Sequence, residues 1–131
     1  LNQFGEIFDV IRFKDVTPRD ICDCIDEWIY PENDSNCVAV IEQVSAMPKQ
    51  GVASTFKFGR SFGMLEGILY AKQIPFTYAR PQLWQKHMKC LTKGDKNITK
   101  AAAQRLYPDR KITHADADAI LIARYCYEVN K

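Results

Sequence analysis

The sequence predicts an α/β domain, a mixed sheet with helices on both faces. Three observations carry that expectation. Strand-like and helix-like segments follow one another in the order β, β, α, β, α, β, α, α, α. One strand-like segment, Cys37 to Val44, is apolar almost without a break, the pattern of a central parallel strand buried on both faces. The helical segments repeat apolar residues every three or four positions, as in Ile21, Cys24, Ile25, Trp28 and Ile29.

Leu1 to Phe13 reads as the end of a strand, a turn near Gln3 to Gly5, and a second strand from Glu6 to Phe13. Thr17 followed by Pro18 is an N-cap with proline at the first helical position, and this helix is expected to reach Tyr30. A polar turn covers residues 31–36, and the apolar strand Cys37 to Val44 follows. After a loop from Met47 to Thr55 a helix is expected over Phe56 to Gln73. Gly59, Gly63 and Gly67 fall four apart in it. Each glycine costs about 1 kcal/mol relative to alanine inside a helix. Three in register therefore predict close approach by another backbone, with packing on the sheet as the simplest source. Ile74 to Ala79 reads as a short strand and Pro81 to Leu91 as a helix. Ile98 to Tyr107 reads as a helix capped by Asn97, and Thr113 to Val129 as the last helix.

The 131 residues suffice for one domain and not two, and 47% hydrophobic with 26% charged residues is the balance of a globular protein. Net charge is only +2, but it is unevenly spread. From Lys49 to Lys111 there are thirteen Lys or Arg against three acids, a local excess of +10 that attracts phosphate if the cations share a face. Five cysteines sit in or beside apolar stretches, and Cys22 with Cys24 has no second pair at zinc-ligand spacing. They are expected as reduced thiols of a cytoplasmic or organellar protein. No run reaches transmembrane length and no signal peptide opens the chain, so neither membrane insertion nor secretion is expected.

Glu42 interrupts an apolar strand. A buried, unpaired carboxylate costs several kcal/mol, so a cation or metal partner is expected, a strand-end ion pair with arginine being the plainer alternative. A second acidic cluster, His114, Asp116 and Asp118, opens the last helix. His114 and Asp118 are four apart and share one face, whereas Asp116 points elsewhere. Thr113 with Asp116 three residues on resembles a capping box, which competes with a metal or catalytic role for Asp116. Two acidic positions remote in sequence, Glu42 and Asp118, suggest a hard-metal site if they meet. Cysteine nucleophilic catalysis fits poorly, because no His–acid relay surrounds Cys90. The turn Lys93 to Lys96 lacks the glycines of a phosphate loop.

Together, Ile41–Val44, the loop Ala46–Gly51, Phe58–Leu69, Ile74–Pro75, Pro81–Trp84 and Ala117–Ala123 resemble the RuvC-type Holliday junction resolvases, nearest to their phage-like and plastid branch. The resemblance runs in order along nearly the whole chain. It implies an RNase H-like fold and a homodimer that cuts four-way DNA junctions by magnesium-dependent phosphodiester hydrolysis, with manganese as a possible substitute. Glu42 matches the family's central-strand glutamate and Asp118 its last-helix aspartate. His114 matches the acid or histidine one turn earlier, with Asp116 as a neighbour or substitute. Lys49, Gln50, Lys57 and Arg60, leaving the Glu42 strand, are the expected phosphate contacts, while Lys86, Lys89, Lys93 and Lys96 read as surface lysines or an extension of that track. Trp84 reads as a packing anchor. The chain departs from the family pattern in two ways. The first strand with its aspartate is absent and Leu1 corresponds to the end of the second strand. This implies either a longer sequence, the favoured expectation because the first strand is central to the fold, or a degenerate relative without it. The aromatic residue that many bacterial members insert into the junction is replaced near Ser45, leaving Met47 or nothing for that task. The rival readings are a junction-binding module without catalysis and an α/β domain with no nucleic-acid role.

Overall fold

The computed structural model describes residues 1–29 and 37–131. The expected helix end at Tyr30 and the polar turn over 31–36 lie outside the described residues. Among the described residues 56% are helical and 7% are in strands, and this overturns the expected fold. In place of an RNase H-like mixed sheet with helices on both faces there is one parallel pair, β1 (Ala39–Glu42) and β2 (Phe76–Ala79).

The elements in order are a short 3-10 turn (Phe13–Asp15), α1 (Pro18–Ile29), β1, α2 (Val52–Ala71), β2, α3 (Pro81–His87), α4 (Lys96–Leu106) and α5 (His114–Asn130). The helices fall close to where apolar periodicity places them; the strands are shorter. Glu6 to Phe13 forms no strand, and the physical reason is visible in its bonds. A strand needs a ladder partner, but this segment is held by side chains instead. Asn2 folds it into a turn by accepting from the Phe4 and Glu6 N–H groups through Oδ1, both at 2.9 Å. The Gly5 carbonyl accepts from Tyr107 Oη at 2.8 Å. Gly5 is buried at φ +76°, and an added Cβ would lie 2.8 Å from both Arg124 Nη1 and Tyr127 Cε1, so glycine is required on two counts.

The chain divides into two units. One comprises Leu1–Arg12, Val40–Gln43 and Thr77–Lys131. Its core joins Ala79, Trp84, Cys90, Ala102, Ala103, Ile112, Ala117, Ile120, Leu121 and Ile122, with Ile7, Val10 and Val40 packed against them. Helix α5 packs against α4 and α3. The small residues Ala102, Ala103 and Ala117, all buried, let the helix backbones approach. Asp95, rather than Asn97, caps α4: its side chain accepts from the Asn97 N–H at 2.9 Å. The helix therefore starts two residues before the expected Ile98, and Asn97 is its second residue.

The other unit comprises Phe13–Ala39 and Val44–Phe76. Thr17 and Asp20 cap α1 reciprocally, the Thr17 N–H donating to Asp20 Oδ2 at 2.7 Å and the Asp20 N–H to Thr17 Oγ1 at 3.2 Å. Lys72 pairs with Asp26, and Tyr70 meets Phe76 edge-on at 4.9 Å. No described atom lies within 4 Å of a Cβ added to Gly59, Gly63 or Gly67, so the expected backbone approach to that stripe is absent from the described residues.

Candidate functional site

Glu42 is the last residue of β1, and the Gln43 N–H bonds the Ala79 carbonyl at 2.9 Å, so both parallel strands end side by side. One residue past β2, Arg80 caps α3 with Pro81 at its first position, and the Leu83 and Trp84 N–H groups bond back to the Arg80 carbonyl. This short connection sets Trp84, 0% exposed, beside the strand end. Its indole Nε1–H donates to Glu42 Oε1 at 3.1 Å. Glu42 is half-buried in a strand that is not dry on both faces, and among the described residues no Lys or Arg pairs with it. The expected cation partner is thus replaced by an indole N–H. Burial pushes the Glu42 carboxyl up, the Trp84 bond draws it down, and the nearby Asp118 charge pushes it up further.

Asp118 lies one turn into α5, just before the buried Ile120, Leu121 and Ile122. Its Oδ1 is buried with no hydrogen-bond partner among the described residues. An orphaned carboxylate oxygen is costly, and a second carboxylate close enough to repel it raises the cost. Cys90, fully buried, also feels Asp118: burial first, then that charge, pushes its thiol up, while Arg105 acts oppositely. The Trp84–Glu42 bond and the influence of the Asp118 charge on both Glu42 and Cys90 put these four side chains in one neighbourhood. A hard divalent cation, if held by the two carboxylates, would satisfy the orphaned oxygen and offset their repulsion.

Asp116 is elsewhere engaged. Arg12 grips it in a fork, Nε to Oδ1 at 2.8 Å and Nη2 to Oδ2 at 2.7 Å, and Thr113 Oγ1 donates to Oδ2 at 2.8 Å. Chiefly through the Arg12 bond, its pKa falls from 3.8 to about 2. Both oxygens are thus occupied, and Asp116 ties the N-terminal segment to the start of α5. His114 is exposed, with its ring Nε2 bonded to Asn97 Oδ1 at 2.9 Å. Among the described residues no three His, Cys, Asp or Glu side chains gather closely enough to hold a metal ion, so His114 and Asp116 do not join Glu42 and Asp118 in one cluster.

The four expected phosphate contacts all lie in the other unit and all are exposed. Lys49 occupies the third position of a turn from Met47 to Gln50, closed by the Gln50 N–H to the Met47 carbonyl at 3.1 Å, with φ 70°. That left-handed backbone normally favours glycine, and a lysine there is held at a cost. Gln50 accepts from the Met47 N–H through Oε1 at 3.3 Å. Lys57 and Arg60 stand on α2.

Sequence reasoning missed the indole–carboxylate bond and the Arg12–Asp116 pair. A signal existed for the first, since a tryptophan expected in the core must find an acceptor for its N–H. None existed for the second, whose partners are 104 residues apart. No protein-family model matches the chain, and no curated protein matches it. No described helix is long and apolar enough to cross a membrane.

Proposed function

We propose that this chain is a divalent-metal-dependent endonuclease that cuts four-way or branched DNA junctions, working as a homodimer inside a cell or organelle. The observation that carries the reading is that the Asp118 charge acts on Glu42 while Asp118 Oδ1 is buried and, among the described residues, without a hydrogen-bond partner. Carboxylates this far apart in sequence and this poorly compensated gain most from a shared cation. The likeness of the sequence to junction resolvases supplies the substrate class, and the local excess of positive charge supports a polyanionic one.

Glu42 and Asp118 would hold Mg²⁺, or Mn²⁺ in its place, and such an ion activates water and neutralises charge on phosphate oxygens. The protein's own groups do the rest. Lys49, Gln50, Lys57 and Arg60, exposed on the other unit, would contact DNA phosphates without reading bases. His114, one turn before Asp118 with its Nε2 on Asn97, would be an ion ligand or would help to position and protonate the leaving group.

The test is cleavage of a synthetic four-way junction by the protein in Mg²⁺, with Glu42→Gln alongside. The variant is expected to bind the junction and to lose cleavage by at least about a hundredfold. Equal cutting by both proteins refutes this site. Binding without cleavage by the unaltered protein would instead favour a branched-DNA-binding module without chemistry.

A further inference from the structure

We infer that Trp84 is a positioning residue of the proposed ion site: its indole N–H ties down one oxygen of Glu42 so that the other is presented, together with Asp118, to the cation. This rests on the ion-binding reading above and deepens it.

Trp84 is wholly buried, so its N–H has no water to turn to, and the acceptor it meets among the described residues is Glu42 Oε1 at 3.1 Å. An N–H bond to a carboxylate is stronger than one to a neutral acceptor. The ring itself is fixed by the core that includes Ala79, Ala117 and Leu121, and its backbone is fixed by the Arg80–Pro81 start of α3. A flexible glutamate side chain is thereby anchored to a rigid donor. Without that anchor the Glu42 side chain is free to take other rotamers that carry its oxygens away from Asp118. The indole holds Glu42 Oε1 in one place, and among the described residues Asp118 Oδ1 is left without a hydrogen-bond partner, the oxygen a cation would satisfy. Partners of this kind behind a ligand set its orientation, and losing one weakens metal affinity by about 10- to 100-fold.

A purely structural tryptophan would affect stability and nothing else, which separates the two roles. Trp84→Phe keeps the aromatic packing and removes the donor. Mn²⁺ binding to this variant, measured by calorimetry, is expected to weaken by at least about tenfold. Its junction KM should be unchanged, and the Mg²⁺ concentration for half-maximal cleavage should rise. A second measurement avoids any folding defect of that variant: the indole ¹H–¹⁵N spectrum of the protein, which has two tryptophans. The Trp84 resonance is expected to move when Mn²⁺-free protein is titrated with Mg²⁺ and to differ in Glu42→Gln, while that of Trp28 stays put. Unchanged Mn²⁺ affinity in a folded Trp84→Phe protein overturns the inference alone, as does a Trp84 resonance identical in the Glu42→Gln variant. Failure of the unaltered protein to bind Mn²⁺ overturns the ion site and this inference with it.

Discussion

Replacing Asp116 with asparagine should reveal a pH-dependent clamp between the N-terminal segment and α5. The native carboxyl is depressed from 3.8 to about 2, mainly by the Arg12 fork. At about 1.4 kcal/mol per pKa unit the shift corresponds to about 2 kcal/mol of folding stability. That figure is an upper bound, because the Asp116 side chain is only 9% exposed but the Arg12 side chain is 61% exposed and its charge is screened by solvent. A contribution of about 1–2 kcal/mol is expected, equivalent to about 3–8 °C in Tm for a chain of this size. The sign follows from the depressed pKa. The stability is present above the unfolded-state value near 3.8 and is lost as pH falls through the folded-state value near 2. Urea unfolding of both proteins at several pH values between 2 and 7 measures this. Asp116→Asn should be less stable at pH 7, the gap should shrink between pH 4 and 2, and it should vanish below that. A gap that stays constant with pH, or is absent at neutral pH, refutes the reasoning. Because Asp116 stands apart from the Glu42–Asp118 pair, the same variant should bind Mn²⁺ as the unaltered protein does.

Two further substitutions probe the site and its surroundings. In metal-free protein Asp118→Asn removes a repelled carboxylate with an orphaned oxygen, so it should raise stability by about 0.5–1.5 kcal/mol while abolishing the gain in Tm that Mn²⁺ confers. Thermal unfolding with EDTA and with Mn²⁺ checks both halves, and a less stable variant in EDTA argues against the strained pair. Lys49→Gly relieves a φ of 70°, so it should leave stability unchanged or raise it by up to about 1 kcal/mol, the relief being partly offset by unfolded-chain entropy. If Lys49 touches phosphate, the slope of log K against log salt for branched DNA should fall by about one; an unaltered slope removes Lys49 from the interface.

Helix positions were legible because their information is local. The Thr17–Asp20 cap, Pro81 at the start of α3 and the apolar spacing through Ile120 and Leu121 each act within one or two turns, and the structure has helices at these places. The acids were legible as anomalies, a glutamate in an apolar strand and an aspartate heading an apolar helix face. Pairing was not legible. An apolar run states that a segment wants burial, not which neighbours will bury it, so Cys37 to Val44 suggested a central strand where β1 has a single partner among the described residues. Glu6 to Phe13 carried strand-like residues, yet the Tyr107 hydroxyl and the Arg12–Asp116 fork claimed it for the helices. The alternatives for Asp116 were both visible in sequence, but only tertiary structure supplied Arg12, and the same holds for Trp84 reaching Glu42. Chain order determined the local elements and marked the residues whose burial would be costly. Which of those costs are offset, and by whom, was decided by contacts spanning 42 to 104 residues, which no local pattern encodes.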